Sequence, residues 1–424
     1  MTQQPTLPEA LPPLSVQDRI TLDLARRGSD SAMHLGLVML LAGPAPTRED
    51  VIAHVSARLG GAPELTYRIG GPPGRPRWEA DPGFDVRRHV HELELPSAAD
   101  PDRVVAAMLD RPLEEDRPRW GLWLIRSTDG YALCYRAHHA FQDGTAAMAT
   151  VEQLLGAARP QATRTRPPHT PDRRPGPLTA LTLKDLLPPA RRTAPWSGLG
   201  HPLTGRRRAT TAGLELRRLH AVSRATGASV NQVCLALATA TLRAWHPQDW
   251  PVDHAAGGRG LHANLGISLR GPDDSHRLLG NRAGVLRLRL PCAEPSPLRQ
   301  LGLLQEEVPF ARLADLAARH RRLFQKLPYW CGKLGLRHSL DPRYTPLSLA
   351  DVRVRRPLEF AGTPVHSAYP LPVSVPGQPL FIAWTANRAR LQTTFLTDEA
   401  LPGGGDLPGL WHRSMEALEH AAAR

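Results

Sequence analysis

Apolar and polar residues follow two different spacings along this chain, which predicts both strands and helices. Apolar runs typical of buried strands occupy 33–41 and 131–137. Residues 265–270 predict a strand that ends in a polar turn, and residues 285–291 alternate between apolar and basic side chains. Stretches with apolar residues three or four positions apart predict helices over 47–59, 99–109, 145–158, 232–245, 298–320 and 407–423.

One segment departs from these patterns. From Arg159 to about Arg208 the composition changes to Pro, Arg and Thr, and such a segment cannot bury a core of its own. It predicts a linker between two lobes, with a short helix over 178–187. Its charge is most simply interpreted as a solvated surface, and contact with anionic lipid headgroups is the second interpretation.

Length, hydrophobic content and charge indicate a globular protein and give no support for a nucleic-acid-binding one. The 424 residues suffice for two lobes, and a hydrophobic content of 41% is that of a globular protein. The formal charge is +13, but lysine occurs only at Lys184, Lys326 and Lys333, so the charge is nearly all arginine. Because this bias often reflects genome composition and no nucleic-acid-binding signature accompanies it, we expect no nucleic-acid partner.

The cysteines and the N-terminus indicate a compartment. Cys134, Cys234, Cys292 and Cys331 lie far apart without metal-binding spacing, which suits reduced thiols in the cytoplasm. Residues 1–14 lack a signal peptide pattern, and no apolar run near them is long enough to span a membrane. We therefore expect a cytoplasmic protein that is soluble or attached peripherally to a membrane.

The strongest chemical signal is the stretch His138-His139-Ala140-Phe141-Gln142-Asp143-Gly144. It follows one predicted strand and precedes a predicted helix, a position where folds present reactive groups. Adjacent strand residues point to opposite sides, so only one histidine can face a given cleft. The residues alone leave three alternatives open: two structural histidines, a zinc or iron site, and a general base. No further ligand with metal-site spacing supports the second.

The pattern His-His-x-x-x-Asp-Gly resembles the signature of the chloramphenicol-acetyltransferase-like superfamily, which includes condensation domains of peptide synthetases and the bacterial wax ester synthase/diacylglycerol acyltransferase family. Upstream, Pro112 to Trp120 resembles the last family's Pro-Leu-Asp-x-x-Arg-Pro-Leu-Trp segment. Further segments that resemble this family extend over nearly the whole chain outside the linker: Leu14–Asp18, Met33–Gly36, Leu265–Arg270 with Gly280–Arg282, and Arg356–Gly362.

The resemblance implies an α/β fold in which two chloramphenicol-acetyltransferase-like lobes form a pseudo-dimer around a central active-site channel. We expect an N-terminal lobe over 1–158 that carries the histidine motif, a Pro/Arg-rich linker over 159–213 and a C-terminal lobe over 214–424.

It also implies roles for the motif residues. His139 would act as the general base, His138 would face the core and support the loop, and Asp143 would form an ion pair that holds the motif. Gly144 would permit the close turn before the helix. Gly144, Ser268, Arg270 and Asn281 are candidates for residues that line the substrate cleft. A structural role is the alternative for Ser268 and Asn281, and Arg270 is either a phosphate ligand or an ion-pair partner.

The implied function is acyl-CoA-dependent O-acyl transfer, by direct attack of an alcohol on a thioester, without a metal or a bound cofactor. No Gly-x-Ser-x-Gly elbow or cysteine signature supplies a covalent nucleophile. One alternative is a specialised condensing enzyme that acylates a natural-product alcohol or amine, from acyl-CoA or a carrier-protein thioester. The other is an inactive relative that binds lipid or a partner.

Overall fold

Two six-stranded sheets form the framework of the computed structural model, which describes residues 13–72, 74–157, 192–250, 260–271, 278–308 and 310–424. The strands are β1 (His34–Leu41), β2 (Tyr67–Gly70), β3 (Arg77–Ala80), β4 (Val90–Glu94), β5 (Trp120–Ser127), β6 (Gly130–His138), β7 (Arg207–Glu215), β8 (Leu261–Ser268), β9 (Ala283–Leu290), β10 (Leu347–Asp351), β11 (Glu359–Phe360), β12 (Thr363–Leu371), β13 (Leu380–Asn387) and β14 (Arg390–Asp398). The helices are α1 (Val16–Arg27), α2 (Arg48–Arg58), α3 (Pro101–Met108), α4 (Gly144–Leu155), α5 (Leu216–Thr226), α6 (Val230–Trp245), α7 (Pro297–Glu307), α8 (Phe310–Lys326), α9 (Tyr329–Ser339) and α10 (Leu407–Ala422).

The first sheet has the order β11-β12-β1-β6-β5-β4. β1 pairs antiparallel with β6 and β12, and all eight of its residues are buried. The odd-numbered residues of β1, such as Leu37, pack with α2 and α4, while Val38 and Leu40 pack with α3 on the other face of the sheet. A central strand that is covered on both faces explains why the sequence shows an uninterrupted apolar run here.

The second sheet has the order β7-β14-β13-β10-β8-β9 and is covered by α6 and α10. Helix α6 is buried along most of its length, and it begins with a capping box in which the side chains of Ser229 and Gln232 each bond to the other's backbone N–H. With the first sheet, this confirms the predicted α/β architecture of two lobes.

Two strands from the C-terminal part of the chain belong to the sheet of the first lobe. β11 and β12, which follow most of the second sheet in sequence, complete the first sheet, with Gly36 opposite Leu371. The predicted division into 1–158, 159–213 and 214–424 stays a prediction. However, β7 begins at Arg207, inside the expected linker, and the short helix expected over 178–187 lies outside the described residues.

Arg207 corrects one interpretation of the linker's charge. Its side chain is 6% exposed, donates to the Ser31 hydroxyl and to the Leu109 carbonyl, and forms an ion pair with Asp110. The interpretation of this arginine as solvated surface is therefore wrong, because it joins the start of β7 to the first lobe.

Most predicted helices and strands are confirmed within a few residues, with one exception. The single helix predicted over 298–320 is wrong: α7 ends with the backbone N–H of Val308 bonded to Leu304, and α8 starts separately at Phe310. Pro309 lies between them in the sequence, and proline has no N–H to continue a helical ladder. None of the helices in the described ranges is long and apolar enough to cross a bilayer.

Candidate active site

The histidine motif lies at the end of β6, and its two imidazoles point in different directions, as predicted. His138 is the last residue of β6, pairs with His34 of β1, and is fully buried. His139 follows, and its backbone N–H donates to the Met33 carbonyl at 2.8 Å. Its half-buried side chain lines a large cavity. Of the two histidines, only His139 reaches a space that substrates could occupy.

Hydrogen bonds define the protonation of His138. The backbone N–H of Ala140 donates to its Nδ1 at 3.0 Å, so a neutral ring carries its proton on Nε2. Nε2 lies 3.5 Å from Asp30 Oδ1. Burial lowers the pKa of His138 to about 3, although Asp30 opposes the shift. His138 is therefore a neutral, positioned group at physiological pH.

Asp30, whose side chain is 32% exposed, is the centre of a hydrogen-bond network that sequence reasoning missed. Its Oδ2 accepts from His34 Nε2 and from the Arg119 guanidinium, each at 2.8 Å. Burial would raise the pKa of Asp30, but the hydrogen bonds from His138 and His34 outweigh it and hold the pKa well below its usual range. The charged carboxylate thus ties the start of β1 to the end of β6, directly behind His139. Only the Asp-x-x-x-His spacing at 30–34 hinted at this contact.

The protonation state of the His139 imidazole suits a general base. Burial lowers its pKa below the ordinary value, with Asp143 opposing the shift, so the imidazole is neutral near pH 7. Its Nδ1 is buried and has no hydrogen-bond partner among the described residues. Nε2 is consequently the nitrogen left to face the cavity and accept a proton.

Asp143 and Arg270 form a buried ion pair between the lobes. Arg270 Nη2 lies 2.8 Å from Asp143 Oδ2, and the two side chains are only 4% and 3% exposed. Asp143 also caps α4 by accepting from the Ala146 N–H, and it accepts from the Arg282 N–H, each at 2.8 Å. Burial raises the pKa of Asp143, but Arg270 outweighs this and lowers it, so the carboxylate is charged. Of the two roles expected for Arg270, this geometry is that of the ion-pair partner.

The other predicted polar residues, Ser268 and Asn281, lie near the Asp143–Arg270 ion pair, along the seam where the two lobes meet. Asn281 lines the cavity, yet its amide is used: Oδ1 accepts from the Ala283 N–H at 2.8 Å, and Nδ2 donates to Thr21 at 3.1 Å. Ser268 is exposed at the cavity wall, and its hydroxyl accepts from the Arg270 N–H. Their assignment as substrate ligands stays a prediction.

Gln142, which the motif pattern treats as variable, also links the lobes. Its side-chain amide donates to the Leu278 carbonyl at 2.6 Å and to Thr150, while its oxygen accepts from the Tyr135 hydroxyl. In the same seam, the Gly280 N–H donates to the Phe141 carbonyl. These bonds fix the loop after His139 against residues 278–282 of the second lobe.

The reason predicted for Gly144 is wrong. Gly144 is the first residue of α4 and has no positive φ, so no special turn requires glycine. A Cβ built at this position would meet no atom within 4 Å, and Gly144 lines the cavity. The missing side chain therefore leaves open space one residue after Asp143.

The cavity has a volume of ≈ 1460 Å³ and is walled by both lobes. α1 and α4 supply one part of its wall, and β8, β9, β10, α8 and α9 supply another. Apolar side chains dominate, including Ile20, Leu24, Met148, Leu316, Phe324 and Leu327. A space of this size and character accommodates long apolar ligands rather than small polar ones.

A small polar area interrupts this wall near the start of α6. Asp351 accepts from Asn231 Nδ2 at 2.9 Å and from Arg353 at 2.7 Å, and all three residues line the cavity. By contrast, Gln232 lies outside the lining, since its side chain caps α6 and donates to the Val308 carbonyl. The substrate can therefore contact the Asp351 area but not Gln232.

Of the four cysteines, only Cys331 of α9 lines the cavity, and the other three lie outside its lining. Cys134, Cys234 and Cys292 are buried, and burial raises the pKa of each thiol, to about 12 for Cys134 and Cys292. Within the described ranges, no group of three or more His, Cys, Asp or Glu side chains is placed to hold a metal ion.

Comparison with known proteins identifies acyltransferases as relatives of this chain. Residues 14–192 match the model of the wax ester synthase/diacylglycerol acyltransferase catalytic domain. A probable diacylglycerol O-acyltransferase, tgs1, from Mycobacterium tuberculosis is 25% identical over 388 residues, which are 80% of this chain and 81% of that protein.

Solved structures share the fold. The wax ester synthase/diacylglycerol acyltransferase from Marinobacter aquaeolei VT8 is similar with a TM-score of 0.66 and 22% identity, over 97% of this chain and 100% of that one. A mutant starter condensation domain of rhizomide synthetase in complex with C8-CoA is similar with a TM-score of 0.64 and 15% identity, over 97% of this chain and 94% of that one. Both likenesses support a pair of chloramphenicol-acetyltransferase-like lobes.

Proposed function

We propose that this chain is a member of the wax ester synthase/diacylglycerol acyltransferase family and transfers an acyl group from acyl-CoA directly to an alcohol. The observation that carries the proposal is the neutral imidazole of His139 at the wall of a large apolar cavity. The relative tgs1 is named a diacylglycerol O-acyltransferase, which supports an acylglycerol or long-chain alcohol as the acceptor.

His139 can carry out both proton transfers of the reaction as the only base. Its Nε2 takes the proton of the acceptor hydroxyl while the oxygen attacks the thioester carbonyl. The carbon–sulfur bond then breaks, and the CoA thiolate leaves with the proton returned from the imidazolium. A thiolate with a pKa near ~8.5 leaves readily, so one base can serve both proton transfers. Cys134 and Cys292 are buried and protonated, which removes them as nucleophiles for an acyl-enzyme intermediate, and Cys331 is the cysteine of the described residues that lines the cavity.

A second candidate is a condensing enzyme with another alcohol or an amine as acceptor. The polar area at Asp351, Asn231 and Arg353 favours it, because these groups could bind polar atoms of an acceptor. The similarity to condensation domains supports only the fold, so this candidate is the weaker one. An inactive lipid-binding relative would not need a base that is kept neutral beside the cavity.

The test is thiol release from a panel of acyl-CoAs with a long-chain alcohol, diacylglycerol, a diol or an amine as acceptor. Products are identified by mass spectrometry, and His139→Ala gives the background. Release that requires an alcohol and yields its ester supports the proposal. Release only with an amine, or only from a carrier-protein thioester, favours the condensing enzyme, and no His139-dependent release from any donor overturns both.

The pH profile should report His139. Protonation removes its basicity, and burial lowers its pKa, so the neutral base persists below the ordinary pKa of ~6.5. We expect kcat/KM to stay level as pH falls to ~6.5 and to decline about tenfold per unit only below the lowered pKa. Thermal unfolding at each pH is the control for loss of structure, and an acid limb above pH ~6.5 would contradict this environment.

Side chains introduced at Gly144 should obstruct substrate without harming the fold. Gly144→Val places a branched side chain into open space beside the motif, and we expect kcat/KM to fall by about tenfold or more. Gly302→Val is the matched control, since Gly302 lies on α7 with equal space and outside the cavity lining. Activity of Gly144→Val that equals the control would show that this space is not used.

A further inference from the structure

Helix α9 exposes two large apolar side chains. Trp330 is 68% exposed and Leu334 is 64% exposed, far more than Leu203 and Leu303, the other exposed large apolar residues of the described ranges. They are four residues apart, so they lie on one face of the helix. A soluble surface seldom exposes a tryptophan to this extent without a use for it.

The opposite face of α9 is held firmly by α1. Tyr329 and Lys333 both donate to the Asp23 carboxylate. The backbone approaches closely at Gly332, where a Cβ would come within 2.6 Å of Val16. The exposure of Trp330 and Leu334 is thus fixed by the way the helix packs.

The exposed face is continuous with the cavity. Trp330 and Leu334 belong to the lining of the space that His139 faces, so they stand where this space meets solvent. An apolar substrate that leaves a lipid phase at this point would reach the interior without crossing bulk water. Substrate entry at this position would explain why these apolar side chains are exposed, which packing alone does not.

Basic side chains lie on α9 itself and at the end of α1, which packs against it. Arg337 is exposed one turn beyond Leu334 and makes no ion pair with a described residue. At the end of α1, Arg26 and Arg27 are exposed. Arg26 lies 3.8 Å from the Asp23 carboxylate, and Arg27 is close enough to Lys333 to act on it electrostatically. Tryptophan at the headgroup level with arginine beside it is the composition of membrane-interface segments.

We propose that Trp330, Leu334 and Arg337, with Arg26 and Arg27, form a docking patch that seats the cavity mouth on an anionic lipid surface. Trp330 and Leu334 insert at the boundary between the headgroups and the acyl chains, and the arginines contact the phosphates. The inference deepens the proposed function, since it names where lipid substrates enter. It nevertheless concerns binding, which does not require turnover.

Other occupants fit this patch less well. A stable protein interface needs roughly 800 Å² on each partner, which two apolar side chains with flanking arginines do not supply. In a symmetric dimer of this chain, the same arginines would face each other and repel. A lipid surface with negative headgroups needs only a few inserted side chains and an attracting charge.

The test is flotation of the full chain with phosphatidylcholine vesicles, with and without phosphatidylglycerol. We expect binding to the anionic vesicles that weakens with added salt. Trp330→Ala/Leu334→Ala should bind about tenfold or more weakly. Leu203→Ala/Leu303→Ala, which removes exposed apolar side chains elsewhere, should bind as the unchanged chain does. Arg337→Glu should weaken binding to anionic vesicles and leave binding to neutral ones unaltered.

Each contrary outcome is informative. Equal binding by the Trp330→Ala/Leu334→Ala variant, or no vesicle binding by any form, overturns the docking patch. A dimer in solution that this variant abolishes would assign the patch to a second copy instead. His139→Ala should bind vesicles normally, so a chain that docks but turns over no thioester keeps this inference while the proposed function fails.

Discussion

Replacement of His139 by alanine is expected to slow acyl transfer by about 10²–10⁴-fold, the contribution of a well-placed general base. The motif offers no second histidine that reaches the cavity, because His138 is buried with its ring directed at Asp30. The other histidines of the described residues that line the cavity, His320 and His338, lie on α8 and α9. The loss should fall mainly on kcat, since the imidazole acts on the proton that moves in the transition state rather than on the bound acyl chain.

The fold should tolerate this change. The His139 side chain is half-buried, and its Nδ1 has no hydrogen-bond partner in the described part of the chain, so alanine leaves no partner of that nitrogen unpaired. Steady-state thiol release and the melting temperature of both proteins are the measurements. Added imidazole should restore part of the rate in His139→Ala and none in the unchanged enzyme. Activity within a few-fold of the unchanged enzyme would remove His139 from the mechanism.

The motif was predictable from the sequence because its physics is local. Two adjacent histidines at a strand end must diverge, so that only one of them could face the cleft, and the resemblance identified it as His139. The resemblance also suggested the ion pair of Asp143, whereas its role as the N-cap of α4 emerged only from the structure. Local spacing, however, gave no indication that Arg270, 127 residues away, is the partner.

The surroundings of the motif were not predictable because they depend on long-range pairing. Asp30 meets His138 only because β1 lies beside β6 in a particular register. The return of β12 into the first sheet joins residues that lie more than 300 positions apart, which no local period encodes. For Gly144, the rule that glycine permits unusual turns suggested the wrong reason, and only the packing revealed an open space.

Asparagine at position 143 should destabilise the protein by about 3–5 kcal/mol, the cost of leaving a buried charge without its partner. Asparagine is also a good N-cap for α4, so the loss in the free energy of unfolding reports the missing charge rather than a weakened helix end. Arg270→Met should cost a similar amount, because it leaves the Asp143 carboxylate buried and uncompensated. The free energy of unfolding in urea measures both, with Arg217→Met, from the exposed pair with Glu215, as a control below ~1 kcal/mol.

The double variant Asp143→Asn/Arg270→Met decides whether the residues act as a pair. Its loss should be smaller than the sum of the single losses by about 0.5–3 kcal/mol, and additive losses would contradict a direct interaction. The pH dependence is a second check, because the folded pKa of Asp143 is lowered. Its stabilisation is then complete above the unfolded pKa of ~3.9 and is lost as pH falls through the folded value. The deficit of Asp143→Asn should accordingly be constant from pH ~7 to ~5 and shrink only below ~4. A deficit that disappears above pH ~5 would mean that the carboxylate is not held in its charged form by Arg270.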